Sequence, residues 1–75
     1  MIEQQPVIML RPGERAKIIA VYTPDDQQLR KLTVFGLLPG AEIEVLQTTP
    51  VYVLRIDNTE LALDYETAVG ILVSM

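Results

Sequence analysis

Neither cysteine nor histidine occurs anywhere in the 75 residues, and this limits the folds open to the chain more than any other feature. A domain this short buries only about 60% of the surface its unfolded chain exposes. Small domains often make up the deficit with disulfides or a structural metal. Here disulfides are excluded, and zinc, iron–sulfur and haem sites of the usual kinds lose their ligands. What remains is packing, closure of a sheet on itself, or self-association. The material for packing is present: 49% of the residues are hydrophobic, mostly Val, Ile and Leu, and 5% are aromatic. Abundant β-branched residues favour strands.

The turn signals divide the chain. Residues 1–8 read as an N-terminal arm with a frayed end, and residues 9–75 as one domain. Pro12-Gly13 and Pro39-Gly40 each suit a type II turn. The first strand is predicted over Arg15–Tyr22, with Ile18, Ala20 and Tyr22 on one face. Both of its faces carry apolar groups, so it is central or strongly bent. Thr23 suits a helix N-cap, Pro24 the first helical position, and Asp25 and Asp26 the positive end of the helix dipole. Leu29, Leu32 and Phe35 recur at helical spacing, and Gly36 stands where a C-terminal cap belongs.

Glu42–Leu46 alternates as a strand, glutamates outward and Ile43 and Val45 inward. Val51–Ile56 and Thr59–Leu63 form two further strands joined by a tight turn at Asp57-Asn58. Asp64 caps one helical turn, and Ile71–Val73 closes the chain as a short fifth strand. The expected fold is all-β with a short helix, a small barrel of about five strands, because closure removes exposed edges. Leu10-Arg11-Pro12-Gly13 is echoed by Leu37-Leu38-Pro39-Gly40, which reads as two similar turns leading into strands.

Charge and chemistry exclude several functions. The net charge is −4. Residues 1–31 carry +1 and residues 32–75 carry −5, a poor match for a nucleic-acid backbone. No basic, apolar leader opens the chain and no run is long enough to span a bilayer, so a soluble protein is expected, and the absence of Cys is compatible with cytosol. Without Cys or His the usual nucleophile–base pairs cannot be assembled, and no enzyme activity is expected. The pairs Asp25/Asp26 and Glu42/Glu44 are explained by helix capping and by a solvated strand face. The glycines fall singly, and none opens a phosphate-binding loop. Asp57, Glu60, Asp64 and Glu66 gather acidic groups in the last third and read as a solvated acidic face. No metal ligands and no cofactor are assigned.

Surfaces remain. Leu29, Arg30, Lys31 and Leu32 set bases beside apolar groups on the short helix, suited either to an acidic patch on a partner or to keeping an exposed helix soluble. In the apolar run 51–54, Tyr52 or Val53 must point outward. An exposed Tyr52, with Tyr65 or Leu38, would make a docking patch or a contact between two copies of the chain; core or sheet-edge packing is the rival reading. The candidate partner-binding residues are therefore Leu29, Arg30, Lys31, Leu38, Tyr52 and Tyr65.

One ordered set of residues resembles a known family. Leu10-x-Pro12-Gly13-Glu14-x-Ala16-x-Ile18, then Leu29-x-Lys31-Leu32, then Phe35-Gly36-Leu37-x-Pro39-Gly40-x-x-Ile43-x-Val45 is similar to FeoA, the ferrous iron transport accessory proteins. Leu61-Ala62-Leu63, Ala68, Ile71 and Val73 fit the same pattern. The family often has Arg after the fourth strand, where this chain has Asp64. The resemblance implies an SH3-like barrel in bacterial cytoplasm that binds and modulates the membrane GTPase transporter FeoB. It also implies kinship with the C-terminal domain of iron-dependent repressors, and hence, as the alternative, a regulatory module that acts by protein contact or self-association. The iron context raises transition-metal binding, yet Fe(II) sites generally want imidazole or thiolate, and the chain has neither.

Overall fold

The computed structural model describes residues 4–75. In chain order the elements are β1 (Gln5–Pro6), a 3-10 turn (Val7–Met9), β2 (Arg15–Val21), α1 (Asp26–Val34), β3 (Glu42–Gln47), β4 (Tyr52–Ile56), β5 (Thr59–Leu63), α2 (Tyr65–Ala68) and β6 (Ile71–Ser74). The strands form one antiparallel sheet in the order β1-β6-β2-β3-β4-β5. Its inner face wraps a single cluster that includes Val7, Ile18, Leu37, Ile43, Val45, Leu54, Ile71 and Val73. This is the small SH3-like architecture expected, with two differences. A sixth strand is present and the sheet is not closed, because β1 and β5 stand at its two edges without pairing to each other.

The extra strand comes from the segment expected to fray. Met1–Glu3 lie outside the described residues, but Gln5 and Pro6 pair with Val73 and Leu72. Val7 is fully buried and Leu10 nearly so. Two apolar side chains in the core outweigh the polar character of the residues before them.

β2 is both central and bent. Ala16 and Ile18 point inward, then the register against β6 shifts between Ile18 and Ala20. A bulge inserts one residue and so exchanges the faces beyond it. Val21 accordingly packs on the core, while Tyr22, expected on the same face as Ile18, is 66% exposed.

The two echoed turns occupy equivalent places. In each, the residue after the glycine donates its N–H to the carbonyl three residues back, Glu14 to Arg11 and Ala41 to Leu38, both at 3.0 Å. Gly13 N–H bonds to Val45 of β3, and Gly40 N–H to Ile18 of β2, both at 2.7 Å. Each turn thus docks on the strand that the other one starts, and Leu10 and Leu37 both enter the core.

α1 starts two residues later than the Thr23 cap predicted. Asp25 is the N-cap, its carboxylate accepting from Gln27 N–H at 2.9 Å. Thr23 Oγ1 instead accepts from Asp25 N–H at 3.3 Å. A charged acceptor bonds the helix terminus more strongly than a hydroxyl, so the carboxylate takes the cap. At the other end Gly36 has φ +92°, which lets Leu37 N–H reach Leu32 O and Gly36 N–H reach Thr33 O, both at 3.0 Å. This is a Schellman motif, and its apolar contact joins the buried Leu32 and Leu37.

Candidate functional site

Leu32 is the only buried residue of α1. The helix is nine residues long, too short to persist without packing. Its caps and this one anchor hold it, so almost its whole circumference faces outward. Arg30 and Lys31 are exposed, and neither makes an ion pair among the described residues. Leu29, predicted on the inward stripe, is 37% exposed, and Phe35 has the same character.

A cleft of about 210 Å3 separates α1 from β5. Gln28, Lys31, Leu32 and Phe35 line one wall, Leu61, Ala62 and Leu63 the other, and Asp64 and Thr67 the end toward α2. A polar chain spans that end. Gln28 Nε2 donates to Thr67 Oγ1 at 2.5 Å, and Asp64, the N-cap of α2, accepts from Thr67 N–H at 2.8 Å. The Thr67 hydroxyl first and its N–H second hold the Asp64 carboxyl below its ordinary value, since both stabilise the charged form.

The remaining candidates lie around the β5–α2 junction and beyond α1. Tyr52 is in phase with the buried Leu54 and Ile56 and is half-buried against the core. It stands opposite Leu63, and so next to the end of the cleft. Its ring meets that of Tyr65 with centroids 6.4 Å apart and planes tilted by 44°. Tyr65 is exposed on α2. Leu38 is exposed in the turn after α1. The fold thus brings the two tyrosines together and sets Lys31 on the cleft wall, while Leu38 sits on the turn after α1.

The outer face of the sheet carries a feature that the sequence reading missed. Arg15, Glu44, Arg55 and Glu60 lie directly opposite one another on β2, β3, β4 and β5. They form one rung of alternating charge, with N···O distances of 3.6, 3.8 and 3.3 Å. Exposed pairs of this kind contribute little stability each. Among the described residues no three acidic, His or Cys side chains come together in a way that could hold a metal. Of the four C-terminal acids, Glu60 is taken up by Arg55 and Asp64 by its cap. Among the described residues no helix is long and apolar enough to cross a membrane.

The cleft was not legible in the sequence, where Thr59–Leu63 reads only as a strand. The one signal was Lys31 beside Leu32.

A profile of the FeoA domain matches residues 6–75. A crystal structure of an iron uptake regulatory protein, FeoA, is 23% identical; the match covers 96% of this chain and 97% of that one, with a TM-score of 0.83. The solution structure of FeoA from Chlorobium tepidum is 26% identical over 95% of this chain and 70% of that one, with a TM-score of 0.87. IdeR of T. acidophilum is 21% identical and superposes with a TM-score of 0.89; the match covers 100% of this chain but 35% of that one. The first and last of these likenesses show the fold alone. No match was found among the curated proteins.

Proposed function

The chain belongs to the FeoA domain family, and on that premise we propose that it is a non-enzymatic accessory protein of ferrous iron uptake. It works in the cytoplasm by binding the cytoplasmic part of a FeoB-type membrane GTPase transporter. The observation that carries this reading is the exposure of α1, which keeps one residue in the core and presents Arg30 and Lys31, without an ion-pair partner among the described residues, beside half-exposed Leu29 and Phe35. A helix spared from packing is free to pack on something else. The exposed Tyr65, its ring tilted against that of Tyr52, adds aromatic area that costs little entropy to bury. Preference for one state of the transporter would shift its conformational equilibrium and so modulate its activity.

The likeness to IdeR, with the resemblance to the C-terminal domain of iron-dependent repressors, favours a second reading, a regulatory module that binds a regulator or itself. Calorimetry with the purified cytoplasmic domain of the transporter separates the two. The expected result is saturable binding, weakened about tenfold by Lys31→Glu with Tyr65→Ala, with a thermal midpoint within a few degrees of the parent. Tyr65 is chosen over Tyr52 because Tyr52 also packs on the core. Absence of binding, together with a solution mass of two or more chains, would replace the first reading with the second.

A further inference from the structure

The edge of the sheet beside α1 is unfinished. β5 pairs with β4 alone, in a register that sets Thr59 opposite Ile56, Leu61 opposite Leu54 and Leu63 opposite Tyr52. A two-residue hairpin closes on a pair that exchanges both of its hydrogen bonds, and such pairs recur at every second residue. Thr59, Leu61 and Leu63 therefore turn their backbone groups toward β4, and Glu60 and Ala62 turn theirs outward. Among the described residues no backbone bond from outside the hairpin reaches either. At Ala62 this open edge borders the cleft, with Lys31 and Phe35 of α1 across from it. Leu32 and Leu63, both buried, and the half-buried Leu61 make the cleft apolar within.

Free edges are templates for another strand, and proteins usually blunt them with charge, Pro or a covering element. β5 has no Pro, and its single charge, Glu60, is already bonded to Arg55. Of the acids near the cleft, Asp64 and Asp25 hold helix N-caps, where they keep their charge and face the N–H groups of α2 and α1. Lys31 and Arg30 have no ion-pair partner among the described residues. On the α1 wall of the cleft the one charged side chain among the described residues is Lys31, and it is positive.

We infer that the α1–β5 cleft takes an extended segment of a partner protein, an apolar residue flanked by acidic ones, which joins the sheet as a further strand beside β5. The backbone groups of Glu60 and Ala62 exchange hydrogen bonds with it, its apolar side chain enters the cleft between Leu32 and Leu61, and an acidic side chain meets Lys31. In this mode main-chain bonds supply affinity, and the cleft and the charge supply specificity. The inference rests on the reading of α1 as a docking surface and states what that surface recognises.

The test uses a fluorescein-labelled octapeptide of alternating Val and Glu, with binding read by fluorescence anisotropy. A second peptide carries Lys in place of Glu, and a third is N-methylated at alternate amides. The acidic peptide is expected to bind at least about fivefold more tightly than the basic one. Lys31→Glu abolishes that preference. N-methylation, and Ala62→Pro in the protein, weaken binding by about tenfold or more. The Ala62 N–H faces outward, so the proline spares the β4–β5 ladder; should it unfold the chain, the N-methylated peptide on the unaltered protein makes the same test. Equal binding of the N-methylated or the basic peptide, or no saturation at millimolar peptide, overturns the inference. So does a dimer of the unaltered chain that Ala62→Pro dissolves, which would assign the edge to a second copy. Transporter-domain binding that ignores Ala62→Pro sinks strand addition and leaves the proposed function standing. Peptide binding without transporter-domain binding does the reverse.

Discussion

The β2–β6 side of the sheet and α1 are held in opposite ways. Ile18, Ile71 and Val73 are buried where β2 pairs with β6, and each contributes about 1.5–3 kcal/mol of transfer free energy. Gly70 packs so closely there that an added Cβ would overlap the carbonyl oxygen of Tyr22. α1 holds on by Leu32, two caps and the Gln28–Thr67 bond. One region cannot change without moving the backbone; the other can be altered over most of its surface. A chain without disulfides has concentrated its stability in the sheet and left the helix exposed over most of its circumference.

Gly70→Ala should produce the largest loss, about 3 kcal/mol or more, because backbone rather than a flexible side chain blocks the new methyl group. Urea unfolding checks it; a loss below about 1 kcal/mol would mean the β2–α2 contact yields and the contrast is overstated. Truncation of one leucine on each side sharpens the comparison. Leu54→Ala, in the middle of β4, should cost about 3–5 kcal/mol, and Leu32→Ala about 2 kcal/mol. Hydrogen exchange should show Leu54→Ala lowering protection across the sheet and Leu32→Ala lowering it in α1 alone. Global loss from both would make α1 part of the cooperative core.

The smallest effect concerns the Asp64 cap, which joins the two regions through Thr67 and Gln28. Its carboxyl titrates below its ordinary value in the folded chain. The stability it adds is therefore fully present above its unfolded value, about 3.9, and is lost as pH falls through the lower folded value. Between pH 5 and pH 2 the urea midpoint of the parent should fall further than that of Asp64→Asn, which has no charge to lose. Parallel pH profiles would show that the cap is not stabilised by charge.

Local chemistry made much of this legible in advance. The Pro-Gly turns at 12–13 and 39–40, the Asp57-Asn58 hairpin and the Asp64 cap all depend on residues within four positions of one another, and each formed as expected. The Leu29–Leu32–Phe35 stripe was half right. Helical period marks a face, but how much of that face is covered depends on what lies across from it, and only Leu32 is buried.

By itself, then, the sequence determined which segments turn, extend or coil, which side of β3 faces inward, and that nucleophilic chemistry lacks its usual groups. The resemblance carried by Leu10–Val45 also identified the family that the FeoA-domain match shows. Tertiary structure alone decided that β1 exists, that a bulge turns Tyr22 outward, that Arg15, Glu44, Arg55 and Glu60 share a rung, and that β5 is an edge facing α1. The physical reason is range. Turns and caps close within a few residues, whereas a strand's period of two says only which side chains share a face. Which strand lies next to it, and which is left without a neighbour, is settled by packing between residues tens of positions apart.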